Sequence, residues 1–145
     1  MTIQNIIDGI AEALFREFGS NYEIYTTKVE QGLQEPCFII RCLNPTMDRH
    51  LGTMYHRTNQ FTVQYISDEN TESMYDMYSA LERVFECLRT ITVSGKPIHS
   101  KGLTAEPHDG MITVTVNYDG FVLEQIESES EMGGVTVETE AKGNI

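Results

Sequence analysis

The side chains best suited to metal binding or nucleophilic catalysis are four histidines and three cysteines. His50, His56, His99 and His108 are scattered, and no two have the four-residue helical spacing of a zinc site. Cys37 and Cys42, if they share a strand, are separated by an odd number of residues and point to opposite faces. Cys87 falls on a predicted helix beside core residues, where a cysteine behaves as a small hydrophobe. No serine sits in a G-x-S-x-G elbow, and Gly133-Gly134 lacks the glycine and lysine pattern of a phosphate loop. Glu82 and Glu86 lie four apart on a helix, but Arg83 and Arg89 accompany them, as on a solvated face. A cysteine–histidine dyad between distant segments stays open. Otherwise no catalytic constellation forms, so the expectation is a protein without enzymatic activity, cofactor or metal.

Interface residues are easier to nominate. Arg41 stands alone in the apolar run CFIIRCL, so it lies at a strand end, pairs with an acid, or points into an interface. Arg49, His50 and Arg57 share the polar segment between Pro45 and Asn59, whereas Glu127, Glu129 and Glu131 belong to an acidic C-terminal stretch. Complementary charge could steer one copy's tail onto another copy's basic loop.

The elements that would position these residues read as α+β. Ile3, Ile6, Ile7, Ile10 and Leu14 form the stripe of a helix that starts after Thr2 and stops at Gly19. A strand is expected over about 22–29, and a second over CFIIRCLN, ended by Asn44-Pro45. Residues 45–59 should form a loop or an exposed hairpin arm. QFTVQYIS alternates like a half-buried strand, completing a three-stranded antiparallel segment. A second helix over about 72–89 presents Met74, Met77, Tyr78, Leu81, Val84, Phe85 and Leu88. Further strands follow at Ile91–Val93 and 103–106, and then one long strand after the Asp109-Gly110 turn, with Ile112, Val114, Val116, Tyr118 and Val122 facing the core. These pack as one domain over 1–125, with 126–145 an acidic tail ordered only by contact.

Composition narrows the partners. Of 145 residues, 22 are acidic and 10 basic, giving a net charge of −12. That disfavours non-specific nucleic-acid binding and adhesion to an anionic membrane. Three irregularly spaced cysteines suit reduced thiols, and MTIQNIIDGIAEALF lacks the basic region and cleavage site of a secretory signal, so a cytoplasmic protein is expected.

The opening MTIQNIIDGIAEALFREFG, the run VEQGLQEPCFIIRCLNP and the later FTVQYIS together resemble small tail proteins of phages and prophages of Gram-positive bacteria. These are grouped as a phage tail terminator family, also described as minor tail or tail completion proteins. The likeness spans roughly 1–123 and omits the acidic tail. It implies a ring, commonly a hexamer, that caps the tail tube and ends its polymerisation. The ring would join the tail, and the sheath if contractile, to the neck. The implied partners are further copies of the chain, the tail tube protein, a neck or connector protein and possibly a sheath protein, in an infectious phage or a tail-like bacteriocin assembled in the host cytoplasm. The rival readings are a head–tail connector or head-completion protein, a small enzyme with a diffuse site, and an acidic module that mimics nucleic acid.

Overall fold

Apolar side chains recurring at helical spacing need a flat surface to cover, and a mixed β-sheet supplies it. The computed structural model of the chain describes residues 2–26, 32–68 and 72–123. Helix α1 spans Ile3–Phe18, and Thr2 caps it, its hydroxyl accepting from the Asn5 amide at 3.1 Å. Gly19 ends it at φ 84°, a conformation that glycine adopts without a Cβ penalty. Strands β1 (Glu23–Tyr25), β2 (Cys37–Leu51) and β3 (Met54–Ile66) follow, and then helix α2 (Met74–Leu88), capped by Ser73. The hairpin β4 (Thr90–Val93) and β5 (Lys96–His99) precedes β6 (Gly102–His108), β7 (Met111–Asn117) and β8 (Gly120–Leu123).

The main sheet has the order β1-β2-β3-β7-β6, with β8 pairing β3 beyond the end of β7. All pairings are antiparallel except β1 with β2, which is parallel. The expected three-stranded antiparallel segment is corrected on this point. Parallel neighbours need a connection that returns to the starting end of the sheet, which a tight hairpin cannot supply. The sheet is therefore mixed within an α+β fold.

Strand alternation sorts the two faces. Phe38, Ile40, Phe61, Val63, Tyr65, Ile112, Val114 and Val116 point to the helices and join one core with Ile6, Ile10, Leu14, Met77, Val84 and Leu88. The rings of Phe18, Tyr22, Phe38 and Tyr65 stack in tilted contacts 4.9 to 6.2 Å apart. Tyr78, expected in the core stripe of α2, is instead 47% exposed. The buried stripe runs through Met77, Ala80, Val84 and Leu88, which leaves position 78 on the flank.

The β4–β5 hairpin fills the remaining side of the core with Ile91, Val93 and Ile98. Ser94 and Gly95, at φ 53° and 81°, form its two-residue loop, and positive φ at both positions is what a type I′ turn requires. The pair flanking such a loop is hydrogen-bonded, so Thr92 and Pro97 form the next, non-bonded pair. Pro97 therefore forfeits no ladder bond there, and the Thr92 carbonyl faces outward, towards Gly9 of α1.

The expected single strand after Asp109-Gly110 is two. β7 stops at Asn117, and β8 resumes at Gly120 against a different part of β3. Buried Asn59 makes the break: its backbone carbonyl accepts from the Tyr118 amide at 2.8 Å, and its side-chain amide donates to the Tyr118 carbonyl at 3.0 Å. Tyr118 is fully buried and donates to the Leu88 carbonyl at 2.5 Å, tying the junction to the end of α2. Val122 lies outside the residues whose side chains are described.

Candidate interface

Beyond the helices, β2 and β3 continue as a twisted arm. Asn44-Pro45 was expected to end β2 but only bulges it, with Asn44 at φ 44° and the register shifting between Leu43 and Thr46. A bulge absorbs the extra residue and lets pairing resume. Thr46 then faces Thr58, Met47 faces Arg57, Asp48 faces His56 and Arg49 faces Tyr55. Gly52 and Thr53 close the tip, Gly52 at φ 57°. β8 lines the other side of β3, running Gly120 to Leu123 against Arg57 to Met54. The loop or arm expected over 45–59 is therefore an arm.

Arg49 holds the tip. Its guanidinium donates to the Gly52 carbonyl and to the Tyr55 hydroxyl, both at 3.1 Å, and lies 5.4 Å from the Tyr55 ring centre. This nominated interface residue has a structural task of its own.

The nominated basic residues do not form one patch. Because β3 is continuous, Tyr55, Arg57, Phe61 and Val63 share the helix-side face, and their partners put Arg49 and Met47 there too. Arg41 pairs with Thr62 and so projects from the opposite face, where Leu43, Thr46 and Asp48 follow it along β2. Arg41 is exposed and, among the described residues, makes no ion pair or hydrogen bond through its side chain. His50 sits at the second irregularity, between Arg49 and Leu51. Glu127, Glu129 and Glu131 lie outside the described residues.

The arm also presents apolar residues that its polar sequence conceals. Leu43 is 37% exposed, Met47 53% and Leu51 71%. Gly52, the one glycine between Pro45 and Asn59, was the available signal for a hairpin tip. Among the described residues, Phe15, Tyr75 and Tyr78 are the other large exposed apolar side chains, all on the helices.

The residues considered for chemistry do not converge. His50 and His56 are on the arm, His99 bonds the Thr90 hydroxyl at 2.9 Å on the small hairpin, and His108 stands 3.8 Å from Glu106 on β6. Burial pushes the Cys37 thiol up to about 11 and the Cys87 thiol to about 12, so both stay protonated near neutrality. Burial also raises Cys42, against a smaller opposing pull from Arg57. Glu86 pairs with Arg89 at 3.3 Å on an exposed helix face, and Arg83 is taken by Glu17 at 2.9 Å. Among the described residues, no three His, Cys, Asp or Glu side chains gather as a metal site, and no helix is long and apolar enough to cross a membrane.

No curated protein matches this chain. A family model described as phage tail terminator protein matches residues 5–130, which takes in α1 from Asn5 onward, α2, the whole sheet and the arm. The chain belongs to the phage tail terminator protein family.

Proposed function

We infer that this chain is a ring-forming tail terminator: copies close into a ring, taken as a hexamer, that caps the tail tube, ends its growth and offers its other face to the neck, and to the sheath where the tail is contractile. The family match over residues 5–130 carries this reading. The shape of the subunit is consistent with it. A rigid sheet-and-helix body bears a projecting arm with exposed Leu43, Met47 and Leu51, side chains suited to burial against a neighbour.

The mechanism is differential binding. One face of the ring adds to the last tube ring, and the other lacks the surface that recruits a further tube subunit, so polymerisation stops without a bond being made or broken. Rings need two different complementary patches on each subunit. Arg41 on one face of the arm strands, Arg49 and Arg57 on the other, and His50 near the tip flank one of these patches, and the acidic tail with Glu127, Glu129 and Glu131 contributes to the other. The body, 1–125, would assemble as one unit with 126–145 as its appendage.

Imaging of particles lacking the gene tests the reading. Overlong or unjoined tails support it, while tails of normal length beside leaking heads would assign the chain to the head–tail connection instead. A purified chain that stays monomeric and is absent from particles refutes it.

A further inference from the structure

Two features of the arm bear on the same question. Among the described residues, β2 pairs β1 only at Cys37–Ile39, so the edge of β2 from Thr46 to Leu51 that faces away from β3 carries no strand. The backbone groups along such an edge are a template for another strand. In addition, β8 ends at Leu123 opposite Met54, so the C-terminal segment leaves the body at the tip of this arm.

That segment contains its own strand pattern. After Gly133-Gly134 comes VTVETE, in which Val135, Val137 and Thr139 alternate with Thr136, Glu138 and Glu140. The two sets have counterparts on the two sides of the arm. Leu43, Thr46, Asp48 and Leu51 share the face of Arg41, whereas Met47, Arg49 and Arg57 share the other. A strand laid along Thr46–Leu51 with its valines beside the leucines places its glutamates on the arginine side. Residues 124–134 can span roughly 35 Å when extended, enough to leave one arm and reach another.

We propose that residues 135–140 of one copy add as a β-strand to the free edge of β2, Thr46–Leu51, of a neighbouring copy. This rests on the ring reading and names the contact that links its subunits. Strand addition takes its affinity from main-chain hydrogen bonds and its register from alternate side chains. Each copy then donates one strand and receives one, which is the heterologous pattern a closed ring requires.

The test uses the full-length chain with Cys42→Ser and two populations of different tag size. One carries Thr46→Cys or Leu51→Cys, and the other carries one added cysteine at 135, 136, 137 or 138, with the shielded Cys37 and Cys87 kept in both. The populations are mixed, assembled and oxidised, and the covalent products are resolved by size. The expected result is a mixed-size dimer that forms strongly from 135 and 137 and several-fold less from 136 and 138, with at least one of the two arm positions. Equal yields at all four positions would mean a loose tether and would overturn the proposal, as would no mixed dimer at all. A chain carrying both cysteines that cross-links within itself, even when diluted in unmodified protein, would also overturn it, since the tail would then be folding back on its own arm. These outcomes leave the terminator reading standing, because that reading is decided by tail length in particles.

Discussion

Gly9 sits in the middle of α1 and faces the β4–β5 hairpin, so Gly9→Ala sets helix propensity against packing. Alanine in a helix interior gains about 1 kcal/mol over glycine. The new methyl carbon, however, would sit 2.8 Å from the Thr92 carbonyl oxygen, 3.1 Å from Val93 Cγ2 and 3.4 Å from Ile91 Cδ1. The nearest atom is backbone in a strand closed by a tight turn, so it cannot rotate away. Overpacking of this kind costs about 1–3 kcal/mol, and a backbone clash belongs in the upper half of that range. The net loss is then about 1–2 kcal/mol. For a chain of this size that lowers the thermal midpoint by about 3–8 °C. Circular dichroism melts of the parent and of Gly9→Ala measure the effect, and exposed Gln4→Ala on the same helix should melt with the parent. A Gly9→Ala midpoint equal to or above the parent's would refute the close seating of α1 on β4.

Tyr118→Phe deletes the bond to the Leu88 carbonyl and leaves a buried acceptor at the end of α2 without its donor, so the urea midpoint should fall by the equivalent of about 1–3 kcal/mol. Stability should also fall at high pH. Thiols held at about 11 and about 12 in the fold ionise near 9.0 when unfolded, so their contribution is complete below pH 9 and is lost as pH climbs towards 12. Buried Tyr65 and Tyr118, pushed upward mainly by desolvation, act in the same direction. Urea midpoints that are flat between pH 8 and 10.5 would contradict this. At pH 8 the Cys37 thiolate is about 100-fold scarcer in the fold than in the unfolded chain, and iodoacetamide labelling followed by mass spectrometry should be slowed accordingly. Arg49→Ala should move global stability by less than about 1 kcal/mol, while hydrogen exchange speeds up at the arm tip and spares β3 beside β7.

What could be read from the sequence was whatever depended on neighbours along the chain. The α1 stripe, its Thr2 cap and its Gly19 stop are local patterns, as are the Asp109-Gly110 turn and the alternation of Phe61, Val63 and Tyr65. Each has its counterpart in the fold. The misreadings come from long-range pairing. Asn44-Pro45 carries every mark of a strand end, yet the bulge there is held by residues 58–60 on the partner strand. The split between β7 and β8 depends on Asn59, almost sixty residues away in sequence, filling the junction. The parallel pairing of β1 with β2 likewise has no signature in three residues. Of the nominated interface set, Arg41 sits exposed on the uncovered face, but Arg49 is committed to its own tip, a task visible only once Gly52 and Tyr55 are brought beside it.

The β6 edge of the sheet and the uncovered stretch of β2 in the arm are built differently. β6 forms one edge, and it carries Pro107, which cannot donate, between Glu106 and His108. Proline and charge are the usual devices that stop a sheet edge from recruiting a further strand. The arm's edge from Thr46 to Leu51 carries three ionisable residues, Asp48, Arg49 and His50, of which Arg49 turns to Gly52 and Tyr55 at its own tip. Between Thr46 and Leu51 there is no proline, so each residue of this stretch keeps the main-chain N–H that Pro107 lacks, and the proposed strand would find its donors there.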